Sequence, residues 1–200
     1  RLVGSEMCIR DRYRMHPSIS LFPNQRFYDG KLEDGVEESN RPAPAGMLWP
    51  DWDNPIAFLP VQEGEVRSPD GNSKENPAEA SWVSRLLEGL LDGGELEMGD
   101  IGIITPYAGQ VRAIRDIMSE KFDSVEVRTV DGYQGREKEV IVFSCVRSNS
   151  EGNVGFLADS RRLNVALTRA KRGLIVIGDP ATLRHDDDWA AWMDFMRSRN

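Results

Sequence analysis

Three runs of this chain, residues 101–104, 140–145 and 174–177, are apolar but for Ser144. A strand with one wet face alternates polar and apolar side chains. One that is apolar throughout must be covered on both sides, which is the signature of a parallel sheet under helices. Residues 56–61 and 125–129 read as further strands. Between the strands lie segments with helical spacing, the clearest at 77–91, where Trp82, Val83, Leu86, Leu87 and Leu90 share one face. Strand and helix alternate through 109–122, 160–170 and a last helix near 189–196. The expected fold class is therefore α/β, a parallel sheet with helices on both faces.

The helix boundaries are written in the same residues. Asn76 before Pro77 is an N-cap followed by a proline at the first helical position, and 92–94, Asp-Gly-Gly, ends that helix. Pro17 opens a short helix that closes at a Phe27-Tyr28-Asp29-Gly30 turn. Asp186, Asp187 and Asp188 ahead of Trp189 suit the positive end of a helix better than a metal. Residues 36–53, rich in Pro, Glu, Asn and Gly, read as a surface excursion held down by Trp49 and Trp52. Residues 64–74 read as a mobile loop with Pro69-Asp70-Gly71-Asn72 turn chemistry, and nothing is assigned to 63–76.

Two hundred residues with 40% hydrophobic content suffice for one domain with a real core. No apolar run approaches the roughly 18 residues of a membrane span, and the first ten residues lack a secretory core. Cys8 and Cys145 are too few for a disulfide framework or a cysteine zinc site, and His16 and His185 complete no ligand spacing. The expectation is an intracellular protein, nuclear or cytoplasmic, with no metal site of its own and no membrane partner. Net charge is −8, yet residues 126–172 carry nine Lys or Arg against six Asp or Glu, a local balance of +3 against −11 elsewhere. Screening over about 8 to 10 Å makes the local balance the relevant one for a phosphate contact.

Residues following strands in a parallel sheet are the natural place for ligands. After 101–104 come Thr105, Pro106 and Tyr107. The Thr105 hydroxyl either donates to a phosphate or serves as a plain cap for the next helix. Residues 128–138 form a polar hairpin between two buried strands, in which Gly132 and Gly135 admit close backbone approach. Gln134 and Glu137 there can hydrogen-bond a ribose or orient another charge. In the stretch 161–171, most of it in the helix at 160–170, Arg161, Arg162, Arg169 and Lys171 surround five Leu, Val or Ala residues, which reads as a cationic face on a rigid mount. Tyr13-Arg14 either stacks on a base and pairs with phosphate, or is a core aromatic beside a surface ion pair. His16 reads as a hydrogen-bonded structural histidine and Cys145 as an inert core thiol.

Four separated stretches together resemble the second RecA-like domain of superfamily 1B helicases, the group of the up-frameshift helicase, senataxin and the immunoglobulin-mu-binding helicase. They are Tyr13-Arg14-Met15-His16-Pro17 with 27–30; 102–107 with Gln110; 129–138; and 161–171 preceded by Gly155-Phe156-Leu157. The resemblance spans roughly 13–184. It implies a P-loop-type motor half that works with ATP and Mg2+, whose phosphate-binding loop and magnesium carboxylates belong to an N-terminal RecA-like domain of the same protein. By motif, Arg14, Gln134 and Arg169 are the implied catalytic residues, with Arg169 the arginine finger. Tyr13, Arg14, Glu137 and Arg169 are implied to hold the nucleotide. Thr105, Pro106, Tyr107, Thr129, Val130 and Asp131 are implied to grip the backbone of single-stranded RNA or DNA, with 5′ to 3′ movement.

No Gly-x-x-x-x-Gly-Lys-Ser/Thr occurs in the sequence, so these 200 residues alone are expected to hydrolyse ATP negligibly. Residues 1–12 have no clear periodicity and read as a non-native leader, sequencing-adaptor sequence translated as protein, with Arg12 where the family usually has Gln. The expected organisation is then leader 1–12, motor domain 13–184, and a helix or tail at 185–200, the whole being a fragment. The competing reading is a non-catalytic nucleic-acid-binding or scaffold module that kept the fold.

Overall fold

The computed structural model describes residues 11–12, 15–118 and 120–199, so Tyr13 and Arg14 lie outside the described residues. Five strands form one sheet: β1 (Ile56–Pro60), β2 (Ile101–Thr105), β3 (Glu126–Thr129), β4 (Lys138–Ser144) and β5 (Ala170–Gly178). Their order is β1-β5-β4-β2-β3 and every pairing is parallel. The helices are α1 (Pro17–Phe27), α2 (Pro77–Asp92), α3 (Ala108–Ile117), α4 (Ser160–Leu167), the single turn α5 (Pro180–Leu183) and α6 (Asp187–Ser198).

Alternate residues of each central strand face opposite sides, and each side has its own core. Ile104, Ile141, Phe143, Leu174 and Val176 pack with Leu163 and Leu167 of α4 and with Trp189 and Trp192 of α6. Ile103, Val140, Val142, Ile175 and Ile177 pack with Val83, Leu87 and Leu90 of α2 and Ile114 of α3. Each such side chain taken fully from water contributes about 1.5 to 3 kcal/mol, and two-sided burial is why these strands carry few polar positions. The caps follow the sequence. The Asn76 side chain accepts from Glu79 N, Asp186 accepts from Asp188 N and Trp189 N, and His16 Nδ1 accepts from Ser18 N at the start of α1. Of the two tryptophans expected to hold the 36–53 excursion, Trp49 is buried and donates to Pro44 O, whereas Trp52 is 53% exposed.

Residues 130–137 are not a hairpin. β3 and β4 lie on opposite sides of β2 and run parallel, so the connection must return across the face of β2 from one end of the sheet to the other. It does so through a 3-10 turn at Asp131–Tyr133, with Tyr133 fully buried against the backbone of Gly102. A Cβ on Gly102 would stand 1.9 Å from the Tyr133 hydroxyl oxygen. The helix expected at 160–170 is also shorter. It stops at Leu167 because Thr168 Oγ1 turns back to Asn164 O and Val165 O, leaving Arg169 in the junction and Lys171 inside β5.

Where β4 ends, Val146 adopts φ 73, a left-handed conformation that a β-branched residue disfavours by roughly 1 to 3 kcal/mol. The fully buried Glu79 carboxyl holds it there, both oxygens accepting from Val146 N at 2.9 Å while Oε2 also accepts from Ser144 Oγ at 2.6 Å. Gln110 donates to Ser144 Oγ and Asn76 O, and Asn76 Nδ2 reaches Val146 O. Burial pushes the Glu79 carboxyl up to about 8, aided by nearby Asp179 and opposed by the Ser144 and Val146 hydrogen bonds.

Replacing Gly102 by Ala should destabilise the fold by about 1 to 3 kcal/mol through overpacking on Tyr133, read from the urea midpoint. An unchanged midpoint contradicts that packing. Glu79 in the unfolded chain ionises near 4.5, so between that value and about 8 only the unfolded chain loses the proton. Stability should therefore fall as pH rises through this window, by up to about 1.4 kcal/mol per pH unit, and level off above it. Glu79→Gln, which cannot ionise, should lack that part of the decline. Parallel pH profiles of wild type and variant contradict it.

Candidate functional site

A parallel sheet has an edge where strands begin and an edge where they end, and the candidate residues divide between the two. Residues following the strands occupy the carboxyl edge. Thr105 ends β2, is fully buried, and accepts from Tyr107 N at 3.5 Å through Oγ1, so its hydroxyl is neither exposed nor a cap of α3. Val130 is buried as well, its N–H donating to Thr105 O. Pro106 is half-buried. Thr129 and Gly132 border a cleft of about 290 Å³ together with Arg112, Arg115 and Arg128.

Asp131 is exposed and accepts a two-pronged bond from Arg162, Nε to Oδ1 at 3.1 Å and Nη2 to Oδ2 at 3.0 Å. The Asp131 bond and charge hold the Arg162 guanidinium above its ordinary range. Arg162 also lies over the Phe156 ring, 5.4 Å from its centroid. Tyr107 is buried, its ring tilted against Phe156 at 5.4 Å, and its hydroxyl accepts from Arg147 Nη1 and Phe156 N. Gly155 sits at φ 56 beside this group, where a Cβ would stand 2.0 Å from Arg147 Nη1.

Tyr107, Arg147, Gly155 and Phe156 wall a cleft of about 990 Å³. Its other wall comes from residues the sequence left unassigned. Val66–Arg67 and Lys74–Glu75 pair as a short antiparallel ribbon, and Glu65 at its base binds Lys74, Arg147 Nε, Ser148 N and Asn149 Nδ2. Burial alone would raise the Glu65 carboxyl, but its bonds to Arg147 and Lys74 outweigh burial and hold it below its ordinary range. Glu65 and Arg147 are more than eighty positions apart, and no local pattern announces their pairing. The isolated polar stretch Arg147-Ser148-Asn149 after an apolar strand was the one available signal.

The remaining candidates lie toward the amino edge. Lys138 N at the start of β4 donates to Arg169 O at 3.1 Å, which brings Glu137 and Arg169 into neighbouring backbone positions. The Arg169 side chain is half-buried and bent back on α4, Nε to Val165 O at 3.1 Å and Nη2 to Thr168 Oγ1 at 3.0 Å. Lys171 lies 3.4 Å from Glu137 and 3.3 Å from Glu139. His16 N donates to Lys171 O, so the chain immediately after Arg14 passes this edge. Gln134 is exposed on the crossover between the two edges. Gln110, by contrast, is buried in the Glu79 network and serves the fold.

A family model described as an AAA domain matches residues 4–181. The chain is 40% identical over 195 residues to the Regulator of nonsense transcripts 1 homolog of Drosophila melanogaster, covering 94% of this chain and 16% of that protein. It is 40% identical over 196 residues to Regulator of nonsense transcripts 1 of Dictyostelium discoideum, covering 94% and 15%. Against Helicase sen1 of Schizosaccharomyces pombe the identity is 38% over 204 residues, covering 98% and 12%. The chain thus spans less than a fifth of the length of these relatives.

Proposed function

The chain belongs to the AAA domain family, and from that premise we propose that it is the C-terminal, RecA-like motor domain of an ATP-dependent RNA or DNA helicase or translocase. The observation that carries this reading is the division of labour between the two edges. The amino edge gathers Arg169, Glu137 and Lys171 beside the backbone that follows Arg14. The carboxyl edge gathers Tyr107, Arg147 and Phe156 around an open cleft, with the Arg162–Asp131 pair beside Phe156. A motor needs a place for nucleotide and another for the strand it moves on.

ATP with Mg2+ supplies a transferable phosphoryl group, and the carrier loop for its phosphates is assigned to a further domain of the same protein. Arg169 fits the finger role because two of its donors are fixed on the last turn of α4. That anchoring sets the guanidinium plane before any ligand arrives, which is how a preorganised cation favours developing charge. Arg14 is proposed as a second phosphate contact, Tyr13 as the adenine partner, Glu137 as the ribose or arginine partner, and Gln134 as the link between edges. Tyr107, Pro106, Thr129 and Asp131 are proposed to meet the sugar-phosphate backbone of a single strand. The buried Thr105 and Val130 are proposed to act by shaping that surface.

Arg169→Ala in the full-length protein should lower strand-stimulated ATP hydrolysis by about 10³-fold or more while strand affinity changes little. Arg169→Lys should fail similarly, since a point charge does not reproduce the planar fork. Unchanged turnover in either variant contradicts the assignment.

A further inference from the structure

Phe156 is the large aromatic most open to solvent among the described residues, 55% exposed at the wall of the larger cleft, yet its position is fixed. Its N–H donates to the Tyr107 hydroxyl at 3.3 Å and its ring leans on Tyr107. Arg162, itself held by Asp131, sits 5.4 Å from the ring centroid. An aromatic ring held this firmly loses little further freedom when something stacks on it. Its cleft, at about 990 Å³, is at the upper end of the range of small-ligand sites. The same cleft is lined by Arg67 of the ribbon, exposed and without an ion pair among the described residues, while the charge of Glu65 is taken up by Arg147 and Lys74. A ring more than half exposed and an uncommitted guanidinium lining the same cleft match a base joined to a phosphate.

We infer that this cleft holds one nucleotide unit of a single strand, its base stacked on Phe156 and its phosphate facing Arg67 on the 65–75 ribbon. The inference rests on the strand-binding reading above and adds a base-stacking position to it. Stacking of this kind is indifferent to sequence, because every base has a π-face, while the Arg67 contact weakens with salt.

The test measures affinity of the full chain for a labelled single-stranded oligonucleotide and for an abasic oligonucleotide of equal length and charge. Phe156→Ala should weaken binding of the first by roughly ten- to a hundred-fold and leave the second unchanged. Phe156→Trp should restore the first, which a merely structural role for the ring would not require. Arg67→Ala should weaken both and flatten the salt dependence. If Phe156→Ala leaves both affinities unchanged while wild type binds them, the stacking position is overturned and the strand reading stands. If wild type binds neither oligonucleotide, the strand reading fails and the stacking position with it. If adenosine monophosphate displaces the oligonucleotide and depends on Phe156 equally, the cleft is a mononucleotide pocket and the proposal is overturned.

Discussion

Glu79 stands at the third position of α2 and is wholly inside the protein, where its carboxyl accepts from Ser144 Oγ and from the strained Val146 N. Burial outweighs the hydrogen bonds that favour its charged form and raises the carboxyl to about 8. What it secures is geometric. Without an acceptor there, Val146 would have no reason to hold a left-handed turn, and the chain after β4 would run straight out of the sheet. With it, Arg147, Ser148 and Asn149 turn toward Glu65 and Tyr107, and Asp179 catches the Ser148 hydroxyl from the end of β5. The larger cleft depends on that turn.

Two segments join the carboxyl edge to the amino edge. The crossover at 130–137 leaves β3 at one edge and enters β4 at the other, laid flat on β2 by Tyr133 against Gly102. Helix α4 makes the same passage, from Arg162 near its start to Arg169 just past its end. The two are tied at both ends, by Arg162 to Asp131 and by Lys138 N to Arg169 O. A shift at the carboxyl edge would therefore reach Arg169 through packed and hydrogen-bonded elements. This continuity is spatial, and energetic coupling is what double-variant experiments would have to establish.

The central strands were legible in the sequence because two-sided burial leaves nearly unbroken apolar runs, and the Asn76 cap and the acidic start at 186–188 were legible because they are local. Less was visible wherever the deciding contact is distant. Residues 128–138 read as a hairpin until strand order places β2 between β3 and β4. Arg169 reads as helical until Thr168 folds its hydroxyl back on α4. Glu65 sits in a stretch that looks like linker, and only its partners Arg147 and Ser148 give it meaning. The rule that ligands gather where strands end found the carboxyl-edge residues. It did not anticipate that Glu137 and Arg169 would meet at the amino edge, and their specific roles came from the motif resemblance.

The most direct test of the two-edge account is hydrogen exchange of the full-length protein with and without a single-stranded oligonucleotide, in the absence of nucleotide. The account predicts slowed exchange in residues 64–75 and 146–157, with residues 168–171 unchanged. Protection confined to 168–171, with the carboxyl edge unaffected, would contradict it.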